Sequence, residues 1–286
     1  MRNGKQRYIC RGCGRFFSGG DYHDPDQIWE DYTTGKQTYQ QLAQKYKCSV
    51  RTIQRKIDSS NIIIKKKEPR EVVILMDTTY WGDNFGVMLF KDSRTKENLL
   101  KYYVKYETIA LYKKGIEELI SKGFLVVGIV CDGKRGLIQS FPKIPVQMCQ
   151  FHQAAIVRRY ITKNPRMLAA KELMDIVRVM KETDKESFEG ALKLWHIKWN
   201  PFLNERTISQ ETGKSHYTHK RLRSAIRSLE TNLPWLFTWY DHMEIEIPST
   251  NNSLEGHFAD LKNKLRNHNG LSLARKKKFI DGFLKA

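Results

Sequence analysis

Residues 124–131 form an apolar run that contains one glycine, and they follow a segment at 111–121 whose apolar residues recur at helical spacing. A run of this kind after a helix is typical of a strand buried on both faces. Further β-type segments lie at 72–76, 85–90, 98–106 and 146–148, and a helix is expected to begin near Phe151. This order predicts an α/β fold in which helices cover a mixed sheet.

The chain has 286 residues, with 50 Lys and Arg against 31 Asp and Glu, and its formal net charge is +19. A hydrophobic fraction of 40% is that of a folded protein, which excludes a disordered basic tail. No apolar run approaches the roughly 20 residues of a membrane span, so we expect no membrane partner. Five cysteines in a chain of this length do not make a disulfide framework, and we expect a reducing compartment. The charge indicates a polyanionic partner, most commonly nucleic acid.

Charge and periodicity change along the chain. The first 67 residues hold 14 Lys and Arg against 6 Asp and Glu, and the basic, proline-containing run at 65–70 is typical of a linker. No β-type segment recurs from about 160 to 245, so we predict an all-helical insertion there. Leu254, Phe258, Leu261 and Leu265 then form one apolar stripe of an amphipathic helix, with Ser249 or Thr250 available as its N-cap.

Acidic residues follow two of the predicted strands. Asp77 comes after 72–76 and Asp132 after 124–131. A strand end favours a site, because the side chain leaves the core while the sheet fixes its backbone. The alternative for Asp132-Gly133 is an ordinary turn, and the alternative for Glu255, beside Leu254, is a solvated surface position. Carboxylates that cluster repel one another unless hard divalent cations such as Mg²⁺ bind them, and such ions support displacement at phosphorus.

Four motifs in order resemble those of a known enzyme family. Asp77 lies in ILMDTTYWG, Asp132 in VVGIVCDGKRGL, Cys149 and His152 in CQFH, and Glu255 in TNNSLEG. Asp77 and Asp132 are 55 residues apart, and Asp132 and Glu255 are 123 apart. Over about residues 70–286 the chain resembles the DDE transposases of the Mutator-like superfamily and related bacterial insertion-sequence transposases.

The resemblance implies an RNase H-like mixed sheet with an all-helical insertion. It implies that Asp77, Asp132 and Glu255 are the catalytic and metal-binding residues, with Mg²⁺ or Mn²⁺, two ions, as cofactor. Lys134 or Arg135 is expected to hold a phosphate. The expected reaction is cleavage of DNA at terminal inverted repeats and joining of the 3′-OH ends to target DNA. The partner is then double-stranded DNA, the transposon ends and the target, bound by a homodimer or higher assembly because two ends are handled together.

The predicted domains follow from these features. Residues 1–25 form a partial zinc-ribbon-like knuckle, 26–67 a helix-turn-helix DNA-binding region, 68–160 and 246–286 the RNase H-like catalytic core, and 161–245 the helical insertion. In a prokaryote we expect the protein in the cytoplasm, associated with the nucleoid. In a eukaryote we expect it in the nucleus.

Two cysteine motifs raise the question of zinc. Cys149 and His152 supply half of a zinc site, and because no second pair lies nearby we favour a structural role beside the active site. Cys10 and Cys13 resemble one half of a zinc knuckle whose other pair would lie upstream of Met1, so either the start is truncated or the knuckle has decayed. Asp21 and His23 are possible substitute ligands, and zinc binding stays open.

Residues 38–57 have the pattern of a helix-turn-helix. Leu42, Ala43 and Tyr46 would form one apolar face, and Val50, Ile53 and Ile57 the other. The second helix would present residues suited to base edges and phosphates in a major groove, namely Arg51, Thr52, Gln54, Arg55 and Lys56. The alternative is a helical hairpin with a solvated polar face.

Other functions stay open beside transposition. One is a transposase-derived, sequence-specific DNA-binding protein without catalysis, and another is a different RNase H-fold nuclease such as a junction resolvase. Trp195, Trp199, Trp235 and Trp239 occur in pairs four residues apart, which is typical of core packing, although an indole can also stack on an unpaired base.

Overall fold

The computed structural model describes residues 7–18, 23–35, 37–82, 85–268 and 270–286. Asp21, named above as a possible zinc ligand, lies outside the described residues. The chain divides into two compact units, Met1–Lys65 with Asp260–Lys285, and Lys66–Ala259 with Ala286. The four sequence-based domain boundaries stay predictions.

The N-terminal unit begins with a small hairpin of β1 (Arg7–Ile9) and β2 (Phe16–Ser18). Three helices follow, α1 (Pro25–Thr33), α2 (Tyr39–Lys45) and α3 (Val50–Ser59). The last helix of the chain, α11 (Leu273–Leu284), belongs to the same unit. Tyr32 packs edge-on against Phe279, with ring centroids 5.4 Å apart, and both side chains are buried.

Local sequence signals define the α2 and α3 pair. Thr38 and Gln41 form a reciprocal capping box at the start of α2, and the Ser49 hydroxyl accepts the Thr52 N–H at the start of α3. Leu42, Ala43, Ile53 and Ile57 are buried as expected. Val50 was expected on the apolar face but is 37% exposed, because it is the first residue of α3.

The second unit contains a five-stranded mixed sheet. Its strands are β3 (Glu71–Tyr80), β4 (Gly86–Asp92), β5 (Asn98–Val104), β6 (Leu125–Cys131) and β7 (Val146–Met148). Their spatial order is β5-β4-β3-β6-β7. The strands β3, β4 and β5 pair antiparallel as a meander. Strand β6 pairs parallel with β3, and β7 pairs parallel with β6, which confirms the predicted mixed α/β sheet.

Helices cover the sheet. α4 (Ile109–Ser121) packs against β5 and β6 and buries Tyr112, Ile116 and Leu119. Gly115 of α4 lies directly on the Phe90 ring, and a Cβ there would stand 2.0 Å from the ring carbon Cζ. α5 (Gln150–Ile161) follows β7 and packs against a later helix of the insertion. The predicted helices near 111 and 151 are therefore present.

The insertion contains α6 (Leu168–Val179), α7 (Lys185–Leu203), α8 (Lys220–Leu236) and α9 (Thr238–Asp241). It also contains a short hairpin, β8 (Arg206–Ile208) with β9 (Ser215–Tyr217), so the prediction of an all-helical insertion is wrong. Each of these strands is three residues long and largely exposed, which leaves no run of alternating buried residues for a sequence to show. Trp195 is 3% exposed and its indole N–H donates to the Ala169 carbonyl at 2.9 Å, so this indole is part of the core.

The stripe predicted near the C-terminus is confirmed. α10 (Asn252–Arg266) buries Leu254, Phe258, Leu261 and Leu265. The residue before the helix is Asn251, whose carbonyl accepts the N–H groups of Leu254 and Glu255, so Ser249 and Thr250 are not its N-cap. Among the described residues, no helix has the length and apolar character needed to cross a membrane.

Candidate active site

Asp77 lies on the central strand of the sheet. It is opposite Leu89 in the β3–β4 register, and β3 continues to Tyr80 because β4 pairs with it as far as Gly86. The expectation that the strand ends at Met76 is therefore wrong. The Thr78 N–H donates to Asp77 Oδ1 at 2.7 Å, which fixes the carboxylate beside its own backbone.

Asp132 follows the neighbouring strand β6 directly. Leu75 pairs with Val130, so the same register carried two residues further places Asp132 level with Asp77. The Lys134 N–H donates to Asp132 Oδ1 at 3.2 Å, as in a turn that an aspartate caps. Adjacent strands thus hold the two aspartates side by side.

Burial and like charge act on both aspartates in the same direction. Burial, together with the charges of Asp132, Glu107 and Glu255, raises the pKa of Asp77 to about 7, against an opposing hydrogen bond from Thr78. Burial and the charge of Glu107 also raise the pKa of Asp132, while the Lys134 N–H, His152 and Lys134 act against that rise. The free protein therefore holds one of these carboxyls partly protonated near neutral pH.

Glu107 is a fourth carboxylate of this group, and the sequence analysis missed it. Its Oε1 accepts the Tyr112 hydroxyl at 2.9 Å, and its Oε2 lies 3.3 Å from Lys134 Nζ. Lys134 Nζ also donates to the Glu107 carbonyl at 3.0 Å. Glu107 precedes the N-cap of α4, Thr108, and no repeating pattern marks it, so only its charge in a basic chain hinted at a role.

Glu255 lies in the first turn of α10, next to the Cys149 and His152 motif. Glu255 Oε1 and His152 Nδ1 are 3.4 Å apart. Both atoms are shielded from solvent, and neither makes a hydrogen bond within the described part of the chain. Cys149, His152 and Glu255 each offer a ligand atom within 4.8 Å of the others. That set is one ligand short of the four that structural zinc needs.

Backbone hydrogen bonds hold the Cys149 segment in place. The Cys149 N–H donates to the Cys131 carbonyl at 2.8 Å, and the Gln150 N–H donates to the Ser249 carbonyl at 3.0 Å. The Asn251 N–H donates to Cys149 Sγ at 3.2 Å, and Asn251 Nδ2 donates to the Met76 carbonyl at 3.3 Å. These contacts tie the starts of α5 and α10 to the middle of β3 and to the end of β6. Burial raises the pKa of the Cys149 thiol, so the group is a neutral thiol in the free protein.

The remaining predicted site residues lie elsewhere or at the rim. Arg135 is exposed, and Lys134 forms an ion pair with Glu107. On α3, Arg51 and Arg55 are exposed and Thr52, Gln54 and Lys56 are half-exposed.

Cys10 and Cys13 lie in the turn between β1 and β2 as free thiols. Hydrogen bonds from Cys13 and the Gly12 N–H lower the pKa of Cys10. His23 packs edge-on against Tyr46 with ring centroids 5.4 Å apart. The described residues give the two thiols no third metal ligand.

Comparison of the chain with protein-family models and with curated proteins gives no match.

Proposed function

We propose that this chain is a DNA transposase of the DDE type, which cleaves DNA at the terminal inverted repeats of its element and joins the 3′-OH ends to target DNA. The observation that carries the proposal is the pair of level carboxylates on adjacent strands, Asp77 and Asp132, each with a raised pKa. Two buried carboxylates beside each other are costly in a free protein, and a divalent cation removes that cost. A chain of net charge +19 also suits a phosphodiester substrate.

The donor set fits Mg²⁺ or Mn²⁺. Asp77, Asp132 and Glu255 offer carboxylate oxygens, the ligands that hard cations prefer, and Glu255 Oε1 has no hydrogen-bond partner among the described residues. These three residues would hold two ions. When bound, such ions activate a water or a 3′-hydroxyl and stabilise the leaving oxygen of an in-line displacement.

The surrounding residues position the carboxylates and the substrate. The Thr78 and Lys134 N–H groups hold one oxygen of each aspartate, which leaves the other oxygens for ligands. In this proposal Lys134, which Glu107 holds, and the exposed Arg135 contact a phosphate of the substrate. Cys149 fixes the segment before α10 through the Asn251 N–H, and His152 lies beside Glu255, so both act by positioning.

A five-stranded mixed sheet with three antiparallel and two parallel strands supports an RNase H-like core. The capped pair α2 and α3 supports a helix-turn-helix whose second helix enters the major groove. In that arrangement Arg51 and Arg55 contact phosphates or base edges, and Arg55→Ala weakens binding to the terminal repeats.

The test is cleavage and joining with purified protein, labelled DNA that carries the terminal repeats flanking its gene, and a plasmid target. We expect nicking and joining with Mg²⁺ or Mn²⁺, no reaction with EDTA, and loss of both steps in Asp132→Asn with repeat binding retained. Asp241→Asn is the matched control, because Asp241 is an exposed acid paired with Lys185 at 2.7 Å. Cleavage that survives in Asp132→Asn would refute the site, and repeat binding without cleavage would favour a non-catalytic DNA-binding protein.

A further inference from the structure

A cavity opens beside the first turn of α5. Its volume is ≈ 290 Å³, at the lower end of the range of about 300–1,000 Å³ for small-molecule sites. Met174, Val177 and Met180 form an apolar floor, and Phe151 stands in its wall. The three floor residues are buried or nearly so, whereas Phe151 is 37% exposed, so an apolar ring faces an open hollow.

The rim of this Phe151 cavity is strongly basic. Four cationic side chains line it: Arg158, Lys163, Arg178 and Lys181. The described residues that line it include no acid, and Asp175, which pairs with Arg178 at 2.6 Å, lies outside the lining. Arg158 Cζ lies 5.5 Å and Lys181 Nζ 5.7 Å from the centroid of the Phe151 ring. The occupant therefore combines an apolar surface with negative charge.

The cavity adjoins the candidate active site through the chain itself. Phe151 precedes His152, their ring centroids are 6.2 Å apart, and His152 lies 3.4 Å from Glu255. Gln150, which also lines the cavity, is held in place because its Nε2 donates to the Leu236 carbonyl at 3.0 Å.

We propose that the Phe151 cavity binds one unpaired nucleotide of the DNA strand whose phosphate lies at the carboxylate site. The base stacks on Phe151 above the apolar floor, and the rim cations contact the adjoining phosphates. Paired bases within a duplex are stacked on each other and do not enter, so the cavity distinguishes unpaired DNA from duplex DNA. An acidic peptide has the charge but lacks the flat aromatic face that a single exposed ring complements. The inference rests on the proposed function.

The test compares binding of two duplexes of the same sequence, one blunt and one with a short single-stranded 3′ overhang, in EDTA so that nothing is cleaved. We expect Phe151→Ala to bind the overhang DNA about 5- to 150-fold more weakly than the unchanged protein, the range for loss of one base–aromatic stack. Binding of blunt DNA should not change, and Phe151→Trp should restore the preference. An iododeoxyuridine in the overhang should cross-link to Phe151 under long-wavelength ultraviolet light.

Tyr217→Ala is the matched control, because Tyr217 is also an aromatic residue beside two cations. Arg206 Cζ lies 4.6 Å and Arg223 Cζ 3.7 Å from the centroid of its ring. Tyr217 does not line the Phe151 cavity. The control variant should leave the overhang preference unchanged. If Phe151→Ala does not fold, the double variant Lys163→Gln with Lys181→Gln provides a second test. In that variant, the slope of log affinity against log salt concentration for overhang DNA should fall by about one for each cation removed.

Equal weakening on blunt and overhang DNA, or a cross-link that misses Phe151, would overturn the proposal. So would tight binding of an acidic peptide with no preference for the overhang. The binding assay is carried out in EDTA and needs no catalysis. An overhang preference that persists when cleavage fails would support the cavity and refute only the proposed reaction.

Discussion

Replacing Asp77 by Asn should stabilise the metal-free protein, and the gain should grow with pH. Burial and three neighbouring carboxylates raise the pKa of Asp77 to about 7, against an ordinary 3.8. A carboxyl with a raised folded-state pKa binds a proton that the unfolded chain has already released, so stability falls as pH rises from about 4 to about 7. Asn keeps an oxygen that accepts the Thr78 N–H, and it removes the ionisation alone.

The magnitude follows from the two pKa values. At pH 5 the unfolded carboxyl is ionised and the folded one is not, which costs the folded state about 1.7 kcal/mol; at pH 8 the cost is about 4 kcal/mol. The advantage of Asp77→Asn should therefore grow by about 2.5 kcal/mol between pH 5 and pH 8. For a unit of this size that is a difference of about 5–10 °C in melting temperature.

The assay is thermal unfolding followed by tryptophan fluorescence at pH 5 and pH 8, in EDTA and in Mg²⁺. Mg²⁺ at pH 8 should stabilise the unchanged protein, because it binds the folded state, and should stabilise Asp77→Asn much less. Asp241→Asn, at an exposed ion pair, should show no such pH dependence. A stability difference between Asp77→Asn and the unchanged protein that is equal at the two pH values would refute the reasoning, because Asp77 would then be ionised at both.

Glu107→Gln removes a negative charge that raises the pKa of Asp77 and Asp132. The acidic limb of the profile of cleavage rate against pH should therefore move to lower pH. An unmoved limb would show that the charge of Glu107 does not raise these two pKa values. Gly115→Ala should destabilise by about 1–3 kcal/mol through its contact with Phe90, whereas Gly190→Ala, with open space around it in α7, should stabilise by about 0.5–1 kcal/mol; equal melting temperatures would contradict the tight packing. Arg70→Met should cost about 3–5 kcal/mol at neutral pH, because it leaves buried Asp92 without its partner at 2.9 Å. Burial alone would raise the pKa of Asp92, but hydrogen bonds from Thr95, Arg94 and Arg70 lower it. The ionised Asp92 therefore stabilises the folded protein at neutral pH, and this contribution is lost as pH falls. Urea unfolding should accordingly show a smaller cost of Arg70→Met at pH 3.

The sequence indicated most of the sheet because its strands are long apolar runs, and the β7 prediction at 146–148 coincides with the observed strand. It did not indicate β8 and β9, since three exposed residues carry no periodicity. Motif spacing drew attention to Asp77, Asp132 and Glu255, but it gave no view of Glu107, which precedes α4 and joins the group only through the β5 to α4 connection. Likewise, a Cys and a His three residues apart did not reveal that Glu255 of α10 meets His152, a contact between segments about 100 residues apart in the chain.

The distribution of charge connects the site to its proposed chemistry. The chain carries an excess of 19 positive charges, yet the main influences on the pKa of Asp77 are burial and three carboxylates, with only a backbone N–H in opposition. His152 and Lys134 are the basic side chains that act against the raised pKa of Asp132, and Glu107 already holds Lys134 Nζ at 3.3 Å. Within the same unit, basic residues line the Phe151 cavity instead. Such a separation places positive charge where a phosphate backbone would run and leaves concentrated negative charge where a divalent cation would bind. Lysines moved into the carboxylate group would stabilise the free protein but would compete with the metal. If Asp77 belongs to the proposed cation site, its raised pKa is the cost in stability of that site in the free protein, and the metal-dependent melting of Asp77→Asn measures that cost.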